Sequence, residues 1–467
     1  MSGKEASERI VKNGRSSWWV TAALFVLTLI FVIKIVMPQT VGEQARQIFL
    51  RDLQQHYSGL RVSIRRGHFD AQVGFVFEDV VIAEPGPTGV ISKGRTILSI
   101  DRLIAFSDID PSKLIDQESP FLPRRVAVEG AVVDVWLDEE GLPNVAQLWP
   151  PPQLGPSAPK IEVHQSRVRW LEGAARERPI ELALDHAVSQ KETQNAESTI
   201  TNISFQGSAA FAESIRGAIR IAGDGRRVRV NAESVRLDTD LIDRLPQEMV
   251  TALGGVTDLD LAGDVQADVV DVAGNPLDYR LAVTCHSGQL SHQALPEVIR
   301  ELRGRINATP AGIEILPSQF RFGSAFIQVR EGNVTGYGKP IELSADVAAQ
   351  GLELNERVAA SLPNRIRGQW NRLQPRGSID VDGSVSLRGT VFDANAIVQC
   401  RGVDVQYDRF PYPVQQLVGT IQLRDGQASA IALTGRTAGK AVHAAFRMPM
   451  RRDIRGERVF AFSTEGA

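Results

Sequence analysis

One β pattern occurs twice in this chain. Leu259-Asp260-Leu261-Ala262-Gly263-Asp264-Val265 returns 120 residues later as Ile379-Asp380-Val381-Asp382-Gly383-Ser384-Val385. Both copies alternate apolar and polar residues, with Asp at the second position and Gly at the fifth. A period of two is the signature of a strand with one buried face. Its duplication constrains the chain to an architecture that grows by adding strands, in contrast to one built of loops around a catalytic pocket.

The duplication is wider than the motif. Leu245-Pro246 and Leu362-Pro363 precede the two copies. After them, Cys285, Pro296, Leu302, Gly304 and Ile306 match Cys400, Pro411, Leu417, Gly419 and Ile421, all at an offset of 115. The drift from 120 to 115 is read as small loop changes between copies. Ile203 to Phe211 reads as a fainter, earlier copy. Phe460 to Ala467 looks like the start of a further repeat at Ile341 to Ala345, so the chain is expected to be part of a longer protein.

Composition sets the class. A hydrophobic content of 43% suffices for folded cores but not for a multi-span membrane protein, and a net charge of −3 gives no general attraction to nucleic acid. Forty glycines and 24 prolines suit many short strands and turns. The two cysteines give no disulfide framework, and their equivalent places in separate repeats favour two free thiols over a bridge.

The N-terminus points to a membrane. Trp18 to Met37 is an apolar run broken only by Thr21, Thr28 and Lys34, long enough to span a bilayer. Trp18 and Trp19 suit one interface, Phe25 and Phe31 lie in the apolar stretch, and Lys34 can snorkel towards the other side. Ile35-Val36-Met37-Pro38 is no small-residue cleavage site, which favours a retained anchor over a cleaved signal. Lys4, Arg9, Lys12 and Arg15 place residues 1–17 in the cytoplasm and send the rest across the membrane.

Downstream, Val41, Ala45, Ile48, Phe49, Leu53 and Tyr57 share a helical face, so 38–58 reads as an amphipathic helix resting near the membrane surface. A first β segment spans 59–149, with strands at 60–64, 73–82, 97–103 and 126–137. Residues 150–159 are too proline-rich for a helix or central strand and form a linker or loop. From 160 to 467, short strands recur, with helices expected over 241–253 and 355–373.

The opening of the body resembles bacterial AsmA-like proteins, the group that includes the TamB and YhdP types. The resemblance is carried by the anchor and helix leading into Gly59 to Phe69, by Val80-Val81-Ile82-Ala83-Glu84-Pro85, and by a strand with Leu98, Ile100 and Leu103. It continues through Arg125 to Val135, closing on Glu140-Gly141-Leu142-Pro143-Asn144-Val145, and through the Leu-x-Gly-x-Ile steps at 302–306 and 417–421. It covers most of the chain, with motifs that describe strands and turns. It implies an N-terminal transmembrane helix followed by an elongated, curled antiparallel sheet with an apolar inner groove (a repeating β-groove). It also implies a body in the periplasm, anchored in the inner membrane, and partners among phospholipids or other lipids and outer-membrane assembly proteins. The family is linked to phospholipid movement and outer-membrane biogenesis.

The alternation accommodates such a role. Leu259, Leu261, Val265, Ala267 and Val269 fall on one face of their strand, as do Ile379, Val381, Val385 and Leu387, whereas Asp258, Asp260, Asp264 and Asp268 take the other. A one-sided sheet can cover its apolar face with a second layer or curl around a ligand. Acyl chains would be held there by many non-directional contacts of roughly 0.8 kcal/mol per methylene. The other reading is ordinary closed core in a structural or protein-binding scaffold of closed β domains.

No catalytic or cofactor signature stands out. There is no Gly-x-Ser-x-Gly elbow, and Gly336-Tyr337-Gly338-Lys339 reads as a turn. Cys285, His286 and His292 match no standard zinc spacing, and the Asp-rich run 258–271 alternates as a solvated strand face does, unlike a calcium loop. Arg226-Arg227-Val228-Arg229 and Arg451-Arg452 read as solvated strand ends. A non-enzymatic protein without metal or cofactor is expected.

Overall fold

A computed structural model describes residues 37–464 except 71, 87–93, 107–122, 139–140, 153–158, 172–176, 196–197, 245–254, 294, 337–341, 362–363, 390, 408–411 and 450–458. The expected anchor residues Trp18, Trp19, Phe25, Phe31 and Lys34, the tail 1–17, both Leu-Pro steps and Arg451-Arg452 lie outside the described residues. Among the described residues, no helix is long and apolar enough to cross a membrane. The fold is mainly β and antiparallel, with few helices. The chain divides into two compact units, 1–208 and 209–467.

The first unit opens with helix α1 (Met37–His56). Its expected apolar face is present: Val41, Ala45, Phe49, Leu53 and Tyr57 are buried, with Ile48 packed beside them. They do not lie free towards a membrane surface. They close over β1 (Arg61–Asp70) and β2 (Gly74–Ala83), and the Phe49 ring stacks on Phe77 at 4.9 Å between centroids. A one-sided sheet is the nearest apolar partner available to such a helix, so the sheet takes up the face. Gly42 and Gly67 permit the close approach: a Cβ on Gly42 would lie 2.2 Å from His68 Cα, and one on Gly67 2.7 Å from Arg46 Cβ. Arg46 donates to Glu43 and, at 2.9 Å, to the Ile64 carbonyl, fixing the helix along β1.

The ladder continues antiparallel through β3 (Thr96–Phe106) and β4 (Arg125–Val135). All four expected strands of this segment are present. A 3-10 helix (Asn144–Leu148) follows. The chain then returns through the proline-rich stretch, so that β5 (Lys160–Trp170) pairs parallel to β4 and antiparallel to β6 (Ile180–Asn195). The parallel pair departs from the all-antiparallel expectation, because this connection is a long return and not a hairpin. Asn144, 1% exposed, ends the acidic-Gly-x-x-Asn step: its Oδ1 accepts from Trp136 N–H at 2.8 Å and its amide donates to Asp134 O at 2.9 Å. Strand β7 (Ser198–Ala209) ends the unit.

The second unit is a meander. It runs β8 (Ala212–Ala222), β9 (Gly225–Asp238), the helical turn α2 (Thr239–Ile242), β10 (Val256–Val272), β11 (Asp278–His292) and β12 (Ile299–Thr309). Next come β13 (Gly312–Ile315) and β14 (Ser318–Phe322), both pairing with β12 on one side and β15 (Ala325–Thr335) on the other. They act as one strand interrupted at Leu316-Pro317, where proline cannot donate to a ladder. Strand β16 (Glu342–Leu354) leads to helices α3 (Glu356–Ser361) and α4 (Asn364–Leu373), within the span expected to be helical. The meander resumes as β17 (Arg376–Arg388), β18 (Val391–Val405), β19 (Val414–Arg424), β20 (Gln427–Thr437), β21 (Lys440–Pro449) and β22 (Val459–Thr464). The helix expected over 241–253 is, among the described residues, only the short turn α2; 245–254 lie outside them.

The repeat is visible in the hydrogen-bond register. Val265 pairs with Val283 and Val283 with Ile306; Val381 pairs with Val398 and Val398 with Ile421. Cys285 faces Gly304 as Cys400 faces Gly419. Equivalent residues of β10 and β17 are therefore 116 apart, so Val265 corresponds to Val381 and not to Val385. The motif match at 120 is slipped by four residues. An even slip keeps every side chain on its own face, which is why the expected faces survive.

Candidate functional site

The two groups of apolar candidates belong to one surface. Residues directly opposite on paired strands share a face. From β8 to β12, Ile215 pairs with Ala232, Ala232 with Val265, Val265 with Val283 and Val283 with Ile306. The row continues through Ile315, Gly332, Ala345, Val385 and Ala394 to β18. Val265 and Val385, one from each copy of the motif, thus lie in a single transverse row without a polar side chain. A second row joins Ala267 to Leu387 through Leu281, Ala308, Ile313, Val334 and Leu343. A cavity of about 820 Å3 lies along β8–β12, where residues of both faces line it, Ala267, Leu281 and Ala308 of this row beside Arg229, Asp268 and Arg280.

The remaining candidates sit around these rows. Val381 lies in a row from Phe320 through Ile327 and Ala349 to Val398 and Ile421. Val269 pairs with Val228 and Tyr279. Leu261 faces Leu237 and leans over Gly288, where a Cβ would meet its Cδ2 at 2.4 Å. Leu259 is buried beside α2, whose Thr239 hydroxyl accepts from Leu259 N–H. Ile379 packs into a closed patch with Cys400, Val403, Leu417 and Leu433. Leu259 is thus a core residue of this face, whereas Val265, Ala267, Val269, Ile379, Val381, Val385 and Leu387 are half-buried and Ile306 is 37% exposed. Ile215, Val283, Ile306 and Ile315 were missed because they lie outside the motif; the alternation Ile313-Glu314-Ile315 is the signal that could have found some of them.

The opposite face is ionic. Arg227 pairs with Asp268, Arg236 with Asp260, and Arg330 bridges Asp346 and Asp382 at 2.8 Å each. Two aspartates do more. Asp264 accepts from Ser234 N–H at 3.0 Å and lies 2.8 Å from His286 Nε2. Asp380 accepts from Gly351 N–H at 2.8 Å and from Arg401. Ser234 (φ 53°) and Gly351 (φ 68°) are both left-handed residues at β-bulges of the preceding strand. The same clip therefore recurs in both repeats, with its aspartates at the offset of the register. Asp264 is held below the usual carboxylate range by the Ser234 amide and His286, Asp268 by Arg227, and Asp346 and Asp382 by Arg330. Burial opposes ionisation of Asp380, but Arg401 and the Gly351 amide outweigh it and its pKa is also lowered.

Chemistry of other kinds finds little support here. Cys285 and Cys400 are free thiols, and burial pushes both pKa values up. The Cys285 thiol donates to Leu302 O at 3.3 Å, and His286 is engaged with Asp264. Among the described residues no three His, Cys, Asp or Glu side chains gather as a metal site. No family model matches this chain, and neither a curated protein nor a solved structure matches it.

Proposed function

We propose that the chain is a membrane-anchored, periplasmic protein of AsmA-like type, non-enzymatic, whose apolar sheet face binds or conducts lipid acyl chains between membranes in support of outer-membrane biogenesis. The observation that carries this reading is the unbroken apolar row from Ile215 to Ala394, one residue per strand, on a face that is only half-buried over its middle. A closed core would bury such valines and isoleucines. Soluble proteins rarely leave a contiguous apolar surface without a partner, and a chain of methylenes is the partner that fits a row with no polar handle. Contacts of this kind are weak singly and tolerate sliding, as a conduit needs. The apolar run around Trp18 to Met37 is the proposed inner-membrane anchor.

The test is direct. The purified chain should carry phospholipid detectable by mass spectrometry. Val265→Asp and Val385→Asp should each remove most of it while the far-ultraviolet circular dichroism stays β-like. Asp268→Asn, on the ionic face, should leave the lipid in place. A chain that holds no lipid after detergent-free purification, or a Val265→Asp chain that keeps its full load, would sink the reading in favour of a scaffold of closed β domains.

A further inference from the structure

An amphiphile on the apolar rows must place its polar head somewhere. The rows run across the strands, so a tail lying on them can send its head sideways, to the strand ends. The connections β9–β10 and β16–β17 are repeat-equivalent and open on the same margin of the second unit. Both carry helical insertions, α2 in one and α3 with α4 in the other. At the second of these lies a cavity of about 1020 Å3 between α3, α4 and the ends of β16 and β17. That volume is at the upper end of the range typical of small-molecule sites.

The lining carries both signs of charge. Glu297, Glu353 and Glu356 contribute carboxylates; Arg357, Arg367 and Arg376 contribute guanidiniums; Trp370 adds an aromatic wall. Some of these groups build the cavity. Arg357 pairs with Glu297 at 3.0 Å, tying α3 to the β11–β12 connection, and Arg367 donates to the carbonyls of Ala359 and Ala360, fixing α4 against α3. Glu353, Glu356 and Arg376 make no ion pair with any described residue. Leu354, between the free carboxylates, lines the cavity and also packs against the Cys400 patch of the apolar face.

We propose that this cavity seats the headgroup of a zwitterionic phospholipid, with the phosphate towards Arg376 and the ammonium towards Glu353, Glu356 and the Trp370 ring. The assignment rests on the lipid-binding reading of the apolar face. A purely anionic head would meet two unpaired carboxylates and one unpaired guanidinium, whereas a head with both charges is matched at both ends. Guanidinium suits phosphate oxygens, and a carboxylate with an indole face suits an ammonium.

The experiment loads the full chain from mixed micelles of equal phosphatidylethanolamine and phosphatidylglycerol and reads the bound lipids by mass spectrometry. The wild type should be enriched in phosphatidylethanolamine. Glu353→Gln with Glu356→Gln should lower that enrichment by about fivefold, as expected for lost charge-assisted contacts, with total lipid per chain unchanged. Arg376→Gln should reduce retention of both lipids alike. Glycerophosphoethanolamine, a head without tails, should displace little lipid. Unchanged enrichment in the double variant overturns the headgroup seat while leaving lipid binding intact, whereas efficient displacement by the tail-less head overturns the reading that the tails on the apolar rows hold the lipid. A wild type that carries no lipid overturns both readings.

Discussion

Asp264 and Asp380 show how much one side chain can fix in a sheet. A bulge leaves one backbone N–H without a ladder partner and turns the strand. Each of these carboxylates takes up such a group, from Ser234 or Gly351, and spends its other oxygen on a side chain of the next strand, His286 or Arg401. The Asp380 side chain is 16% exposed and that of Asp264 is 37%, so solvent screens the second clip more. Asp380→Asn is expected to cost about 1–2 kcal/mol in chemical denaturation, and Asp264→Asn less. Equal losses would show that exposure does not set the strength of the clip. The sequence offered Asp264 only as a member of a wet face and Asp380 only as the Asp of the repeated motif. The bulge they serve is created by pairing between strands and leaves no local mark.

Helix α1 is the element whose placement is most exacting. Its apolar spacing was readable, but not the surface it covers, because a helical stripe fits a membrane interface and a sheet equally well. What decides is Gly42 against His68 and Gly67 against Arg46, a contact between elements that only a missing Cβ allows. Gly42→Ala should push α1 off β1 and lower the melting temperature, whereas Gln47→Ala on the exposed side should change little. Phe49 is 2% exposed and stacked on Phe77; Phe49→Ala should cost about 3–4 kcal/mol. If Phe49→Ala melts like the wild type, α1 is not part of the core of the first unit. Burial also pushes the Tyr57 phenol up to about 12, so its ionisation, followed by ultraviolet absorbance, should come well above the ordinary tyrosine range.

At the scale of the molecule, the ionic face sets the response to acid. Asp264, Asp268, Asp346, Asp380 and Asp382 all have folded pKa values below those of the unfolded chain. Such groups contribute stability that is fully present above about pH 4 and is lost as pH falls through the lowered folded values. The melting temperature should therefore be level from neutral pH down to about pH 5 and fall steeply below about pH 4. Asp346→Asn with Asp382→Asn, which empties the Arg330 bridge, should flatten that fall. A fall of the same steepness in the double variant would place the acid sensitivity elsewhere. The sequence by itself determined the faces of the second unit, because side-chain direction in a strand is a local, two-residue period that holds under any even slip. It also determined the existence of the repeat. Only the tertiary structure decided which residues are true equivalents, placing Val265 with Val381, and which candidate is closed core, as Leu259 is. It alone joined Val265 to Val385 in one row across strands the motif never touched. The physical reason is that register, bulges and burial are set by hydrogen bonds and contacts between distant strands, and no local pattern carries them.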